Sequence, residues 1–145
     1  MAELRRFALL KNLEEDELRI LERFLEARQG ERGDVLYAAG DLSDACFFLL
    51  EGQVEFLTEA GVSIKTAGAG ESFGELSVLQ QGRRALTARA LERTSLLSLS
   101  VAQFLRLRAQ HPDVCLALVM AIVGGFLHRM DRNKDVLARL AVSLS

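Results

Sequence analysis

Phe73-Gly74-Glu75-Leu76-Ser77-Val78-Leu79, followed after a short spacer by Arg83-Arg84-Ala85-Leu86-Thr87-Ala88-Arg89-Ala90, sets a carboxylate, Glu75, nine residues before a guanidinium, Arg84. A planar Arg fork matches the exocyclic oxygens of a phosphate, and a carboxylate accepts from a ribose hydroxyl. Backbone N–H groups at the start of a helical turn favour the same anion. Together the two side chains carry the chemistry of a ribose phosphate. The plainer alternative is a glycine turn ahead of a core strand, with Glu75 and Arg84 forming a surface ion pair.

With Phe, Gly, Ala and Thr at their fixed offsets, Phe73 to Ala90 resembles the phosphate-binding cassette of cyclic nucleotide-binding domains. That module is shared by catabolite-activator-like bacterial regulators, the regulatory subunits of cyclic-AMP-dependent kinase and cyclic-nucleotide-gated channels. Gly33-Asp34-Val35-Leu36-Tyr37, Gly40-Asp41 and Phe48-Leu49-Leu50-Glu51-Gly52-Gln53-Val54 are similar to the family's opening strands, so the resemblance runs from about Leu13 to Leu140. It implies a mainly β fold with flanking helices (α+β): a jelly roll, or double-stranded β-helix, with N-terminal helices and a long C-terminal helix. Within one domain over 1–145, helices occupy 1–29, the β-roll 30–100 with its cassette at 73–90, and helices again 101–145.

The resemblance also implies roles. Glu75 accepts from the ribose 2′-hydroxyl, Arg84 grips a phosphate oxygen, and the N–H groups of Gly74, Leu76 or Ala85 complete the cradle. Phe73, Ser77, Leu86 and Thr87 complete the ligand-binding set, while Arg129, Met130 or Asn133 on the last helix caps the base. Ala85 stands where a Thr or Ser hydroxyl tends to favour guanine in the family, which points to cyclic AMP rather than cyclic GMP. Thr87 is either a ligand contact or a β-branched strand residue. The chain departs from the family pattern at Arg83, where Pro is common, and at Leu86, where a small residue is usual. A Leu86 facing the pocket crowds the sugar; facing the core, it does not.

Length and composition narrow the function classes. The chain has 145 residues, half of them hydrophobic, which suits one domain with a sizeable core. Net charge is −2, and no basic cluster stands out beyond Arg83-Arg84 and Arg106/Arg108, so no electrostatic footprint for nucleic acid is expected. Cys46 and Cys115 lie in apolar segments without CxxC or Cys/His spacing, which fits a reducing cytoplasm and no structural metal. His111 and His128 show no metal or catalytic spacing, and no enzyme apparatus is visible. The apolar run Val114 to Val123 is too short to span a bilayer, so no membrane association is expected.

Local patterns place the elements. Ala2 to Arg28 lacks Gly and Pro, and Leu13, Leu18, Leu21 and Leu25 recur at near-helical spacing, predicting short helices with an N-cap at Asn12. Nine of the eleven glycines fall between Gly30 and Gly82. They separate short strands at Val35–Tyr37, Cys46–Leu50, Gln53–Leu57, Val62–Thr66, Ala85–Ala90 and Ser95–Leu99. Helix resumes after Ser100, and Pro112 suits the first turn of a long terminal helix. Its Gly124-Gly125 pair calls for a close neighbour or a bend.

Val119, Val123, Phe126, Met130, Asn133, Leu137, Leu140 and Leu144 alternate by four and three along that helix, a seam that either packs on the roll or pairs with a second copy. In the bacterial regulators the corresponding helix forms a parallel dimer seam, so the resemblance implies a homodimer. The function expected is a cyclic-nucleotide-binding regulatory or sensor module that binds cyclic AMP, couples it to the C-terminal helix and acts on an unidentified effector protein or domain. The alternative is a ligand-free interaction or dimerisation module: Leu86 favours it, and intact Glu75 and Arg84 oppose it.

Overall fold

Ala45-Cys46-Phe47-Phe48-Leu49-Leu50 is buried at every position, so the strand it forms is covered on both faces. The structure, a computed structural model, describes residues 2–132. Helix α1 (Ala2–Arg5), a 3-10 turn (Ala8–Leu10) and α2 (Glu15–Glu22) lead into strands β1 (Glu26–Gly30), β2 (Val35–Tyr37), β3 (Ala45–Glu51), β4 (Gln53–Leu57), β5 (Ser63–Gly68) and β6 (Ser72–Phe73). A 3-10 turn (Glu75–Val78), β7 (Thr87–Ala90), β8 (Thr94–Ser100) and helices α3 (Val101–Gln110) and α4 (Pro112–Arg132) follow. The strands form two four-stranded sheets, β1-β8-β3-β6 and β2-β7-β4-β5, antiparallel throughout. This is the expected jelly roll with flanking helices.

The side-chain alternation of β3 divides the core. Cys46, Phe48 and Leu50 join Leu4, Phe7, Leu18 and Leu21 from the N-terminal segment and Phe104, Leu107, Leu118 and Ile122 from α3 and α4. Ala45, Phe47 and Leu49 join Val54, Phe56, Phe73, Ala88 and Leu96 inside the roll. Phe7 meets Phe48 edge-on at 5.2 Å on the helix side, and Phe47 stacks on Phe73 at 5.3 Å on the other.

Several local expectations are corrected. Helix α2 is capped at Glu14 rather than Asn12. The Leu13 N–H is held by the Leu10 carbonyl at 3.1 Å, and Glu14 and Glu17 form a reciprocal capping box in which the Glu14 N–H donates to Glu17 Oε1 at 2.7 Å. The boundary at residue 29 cuts through β1, which carries four exposed residues and is held by its pairing with β8. The last cassette strand begins at Thr87, not Ala85.

Helix α4 also differs from expectation. From Pro112 to Asp131 it is long and apolar enough to cross a membrane by length and composition, beyond the run Val114 to Val123. One face is nonetheless committed to the chain's own core through Val114, Cys115, Leu118 and Ile122. It passes through Gly124-Gly125 as continuous helix. Among the described residues a Cβ at Gly124 would meet nothing within 4 Å, and one at Gly125 would make an ordinary 3.5 Å contact with Leu9, so no tight neighbour there requires either glycine. Tertiary packing of the buried face offsets their propensity cost of about 1 kcal/mol each. Val119 packs partly on the core, and the most exposed apolar line runs through Leu116, Met120, Val123, Leu127 and Met130, with Phe126 at its edge. This line is displaced from the expected seam. Asn133, Leu137, Leu140 and Leu144 lie outside the described residues.

Candidate ligand-binding site

The cassette begins where β6 pairs with β3, Phe73 opposite Phe47. Gly74 then turns with φ of +74°, a left-handed conformation. A Cβ at this position would lie 2.7 Å from Arg84 Nη1 and 3.2 Å from the Ala45 carbonyl oxygen. The glycine therefore leaves room for the guanidinium. The returning limb is laced to the β2–β3 connection: the Arg84 N–H donates to the Asp41 carbonyl at 2.7 Å, the Gly40 N–H to the Arg84 carbonyl at 2.8 Å, and the Ser43 N–H to the Gly82 carbonyl at 2.8 Å.

Arg84 is only 7% exposed. Its Nη1 donates to Ser77 Oγ at 3.0 Å and its Nη2 to the Ala45 carbonyl at 2.7 Å. Ser77, itself buried, also meets Ser43 hydroxyl to hydroxyl. The Arg84 Cζ stands 4.0 Å from the centre of the Tyr37 ring and 5.7 Å from that of Phe47. Its Nε is buried without a hydrogen-bond partner, and no ion pair among the described residues joins it to a carboxylate. A buried cation compensated only by neutral groups favours an incoming anion.

Glu75, 8% exposed, accepts from Ser72 Oγ at 2.9 Å and pairs with Arg129 Nη1 of α4 at 3.8 Å. The alternative of a surface Glu75–Arg84 pair is therefore incorrect: both residues are buried, and each takes other partners. Leu76 and Ala85 are exposed, while Phe73 stacks within the roll. Leu86 is half-buried against the interior cluster with Leu36 and Tyr37. Thr87 Oγ1 accepts from the Ala39 N–H at 3.0 Å, fastening the exit of β2. Arg129 and Met130 both fall on the exposed end of α4.

Burial pushes the Cys46 thiol up to about 12, and the Glu75 carboxylate adds to the shift. Burial also raises the Tyr37 phenol above its ordinary value; Arg84 pulls it down and Glu75 pushes it up. His111 sits at the end of α3, 3.2 Å from Arg23 Nη2 and edge-on to Phe24, whereas His128 is exposed. A cleft of about 230 Å³ lined by Arg28, Gln29, Asp34, Leu36 and Phe47 includes no cassette residue. Sequence reasoning missed Tyr37, Ser72, Ser43 and the Ala45 carbonyl. Only their three-dimensional placement joins them to Glu75 and Arg84.

The sequence profile of the cyclic nucleotide-binding domain matches residues 27–111. The chain belongs to that family. The cyclic AMP receptor protein of Thermus thermophilus is 31% identical over 134 residues, covering 90% of this chain and 62% of that protein. The crystal structure of the N-terminal domain of a transcriptional regulator from Streptomyces coelicolor has a TM-score of 0.78 and 28% identity, covering 89% of this chain and 95% of that domain. Glutaminase 1 of Bradyrhizobium diazoefficiens is 36% identical over 104 residues, covering 72% of this chain and 17% of the glutaminase. Across eight curated relatives, the chain spans from 6% to 62% of their length. The family is regulatory, and the enzymes among these relatives share only this region. Helix α4 follows the family-matched residues.

Proposed function

We propose that the domain binds a cyclic nucleotide, cyclic AMP in preference to cyclic GMP, and passes occupancy to α4. The observation that carries this reading is Arg84, a buried guanidinium that has no carboxylate partner and an unpartnered Nε among the described residues. Arg84 holds the phosphate, the amides of Gly74, Leu76 and Ala85 complete the cradle, and Glu75 accepts from the ribose 2′-hydroxyl. The resemblance to the cyclic AMP receptor protein supports the ligand class, and the absence of a hydroxyl at Ala85 supports adenine. The module catalyses no reaction of its own.

Calorimetric titration tests the reading. Cyclic AMP is expected to bind at least as tightly as cyclic GMP, and a flat trace with both ligands overturns cyclic-nucleotide binding. Glu75→Gln should weaken cyclic AMP by roughly 10-fold or more, with little effect on its 2′-deoxy analogue. Equal losses for both would remove the assigned role of Glu75.

The Glu75–Arg129 pair supports coupling because it joins the ribose carboxylate to α4. The Leu116, Met120, Val123, Leu127 and Met130 line has the four-three spacing of a helix seam, and we assign it to a parallel homodimer. A partner protein or domain then reads the disposition of the two α4 helices. Coupling requires the nucleotide to favour one disposition over another. Sedimentation should show a dimer that Leu116→Glu with Leu127→Glu converts to a folded monomer of altered cyclic AMP affinity. A parent chain monomeric with and without saturating cyclic AMP would exclude this arrangement.

A further inference from the structure

We infer that Tyr37 is a positioning residue of the phosphate site, holding the Arg84 guanidinium flat in the orientation that Ser77 and the Ala45 carbonyl set for its two Nη groups. The inference rests on the proposed cyclic-nucleotide function. Tyr37 lies on β2, outside the cassette, but its ring is 4.0 Å from Arg84 Cζ. It is braced by Phe47 at 5.9 Å and Phe73 at 6.3 Å, and those two stack on each other. Ser77 and the Ala45 carbonyl anchor the two Nη groups, while Tyr37 covers one face. The guanidinium is thus fixed by edge contacts and by a face contact from different elements. A ring at this distance stabilises a cation without competing for its hydrogen-bond donors, because the attraction comes from the π face. An aliphatic side chain fills space but supplies no such field.

The backbone fixes the ring as well. Tyr37 pairs with Ala88 across β2 and β7, and just beyond it the Ala39 N–H is held by Thr87. Beyond the effect of burial, the Arg84 cation and the Glu75 carboxylate both act on the Tyr37 phenol, in opposite directions, consistent with a shared site. The chain contains one tyrosine and no tryptophan. Its single set of tyrosine ring signals therefore reports directly on this contact.

The test compares Tyr37→Leu and Tyr37→Phe by calorimetric titration with cyclic AMP, with ring signals of the unaltered chain followed by NMR. Tyr37→Leu should weaken binding roughly five- to thirtyfold, while Tyr37→Phe should remain within about twofold of the parent. The Tyr37 signals should move saturably with cyclic AMP, and in the ligand-free Arg84→Met variant they should differ from those of the parent. Parent-like affinity for Tyr37→Leu, or equal losses for Leu and Phe, overturns the positioning role. Should Tyr37→Leu fail to fold, ring signals that ignore saturating cyclic AMP overturn it. A parent chain that binds no cyclic nucleotide instead overturns the functional reading on which the role depends.

Discussion

Arg84→Met should weaken cyclic AMP binding by roughly 10- to 150-fold, the loss of about 1.5–3 kcal/mol expected for a charge-assisted contact, while leaving the ligand-free fold intact. The substitution removes two hydrogen bonds and the cation's contacts with the Tyr37 and Phe47 rings. It also removes a buried guanidinium without a counter-ion among the described residues, whose desolvation costs several kcal/mol. These effects oppose each other in the ligand-free protein but not in the complex. Thermal unfolding shows the difference: cyclic AMP at 100 times its parent Kd should stabilise the parent by about 2.7 kcal/mol, roughly 10 °C for a domain of this size, and the variant much less. An undiminished ligand-induced rise in Arg84→Met would remove Arg84 from the phosphate site.

Gly74→Ala should damage both stability and binding. A methyl group at φ +74° costs about 1–2 kcal/mol in strain, and it would approach Arg84 Nη1 to 2.7 Å and the Ala45 carbonyl to 3.2 Å. The carbonyl belongs to β3 and is held by its sheet, whereas the guanidinium ends a flexible side chain. Arg84 therefore yields, losing its alignment with Ser77 and Tyr37. The expected result is an earlier urea midpoint together with at least a tenfold loss of cyclic AMP affinity. A destabilised variant that retains parent affinity would show that the seat does not depend on this glycine.

The sequence revealed the parts of the fold governed by local pattern and the parts of the site governed by residue spacing. The central apolar strands, the glycine-punctuated middle and Pro112 at the start of α4 express short-range preferences. Strand β1 does not: Glu26-Ala27-Arg28-Gln29 is polar and exposed, and its extended form comes from the ladder with β8. Likewise Glu14, without the usual Ser or Thr, caps α2 by exchanging hydrogen bonds with Glu17. At the site, the spacing of Glu75 and Arg84 suggested a common ligand chemistry. Their separate partners, Arg129 and the Ser77–Ala45–Tyr37 cradle, depend on long-range packing that spacing does not encode.

Strand β3 links the melting behaviour of the two cores. Its Cys46, Phe48 and Leu50 side chains are part of the helical cluster, while Ala45, Phe47 and Leu49 from the same backbone are part of the roll. Detaching the helices strips one face of a strand still paired with β8 and β6, and opening the roll strips the other. Neither layer can be lost without exposing side chains that the other layer needs as its floor. The amides of β3 should consequently exchange with solvent only through the global opening of the protein, and the helices and the roll should melt in one transition.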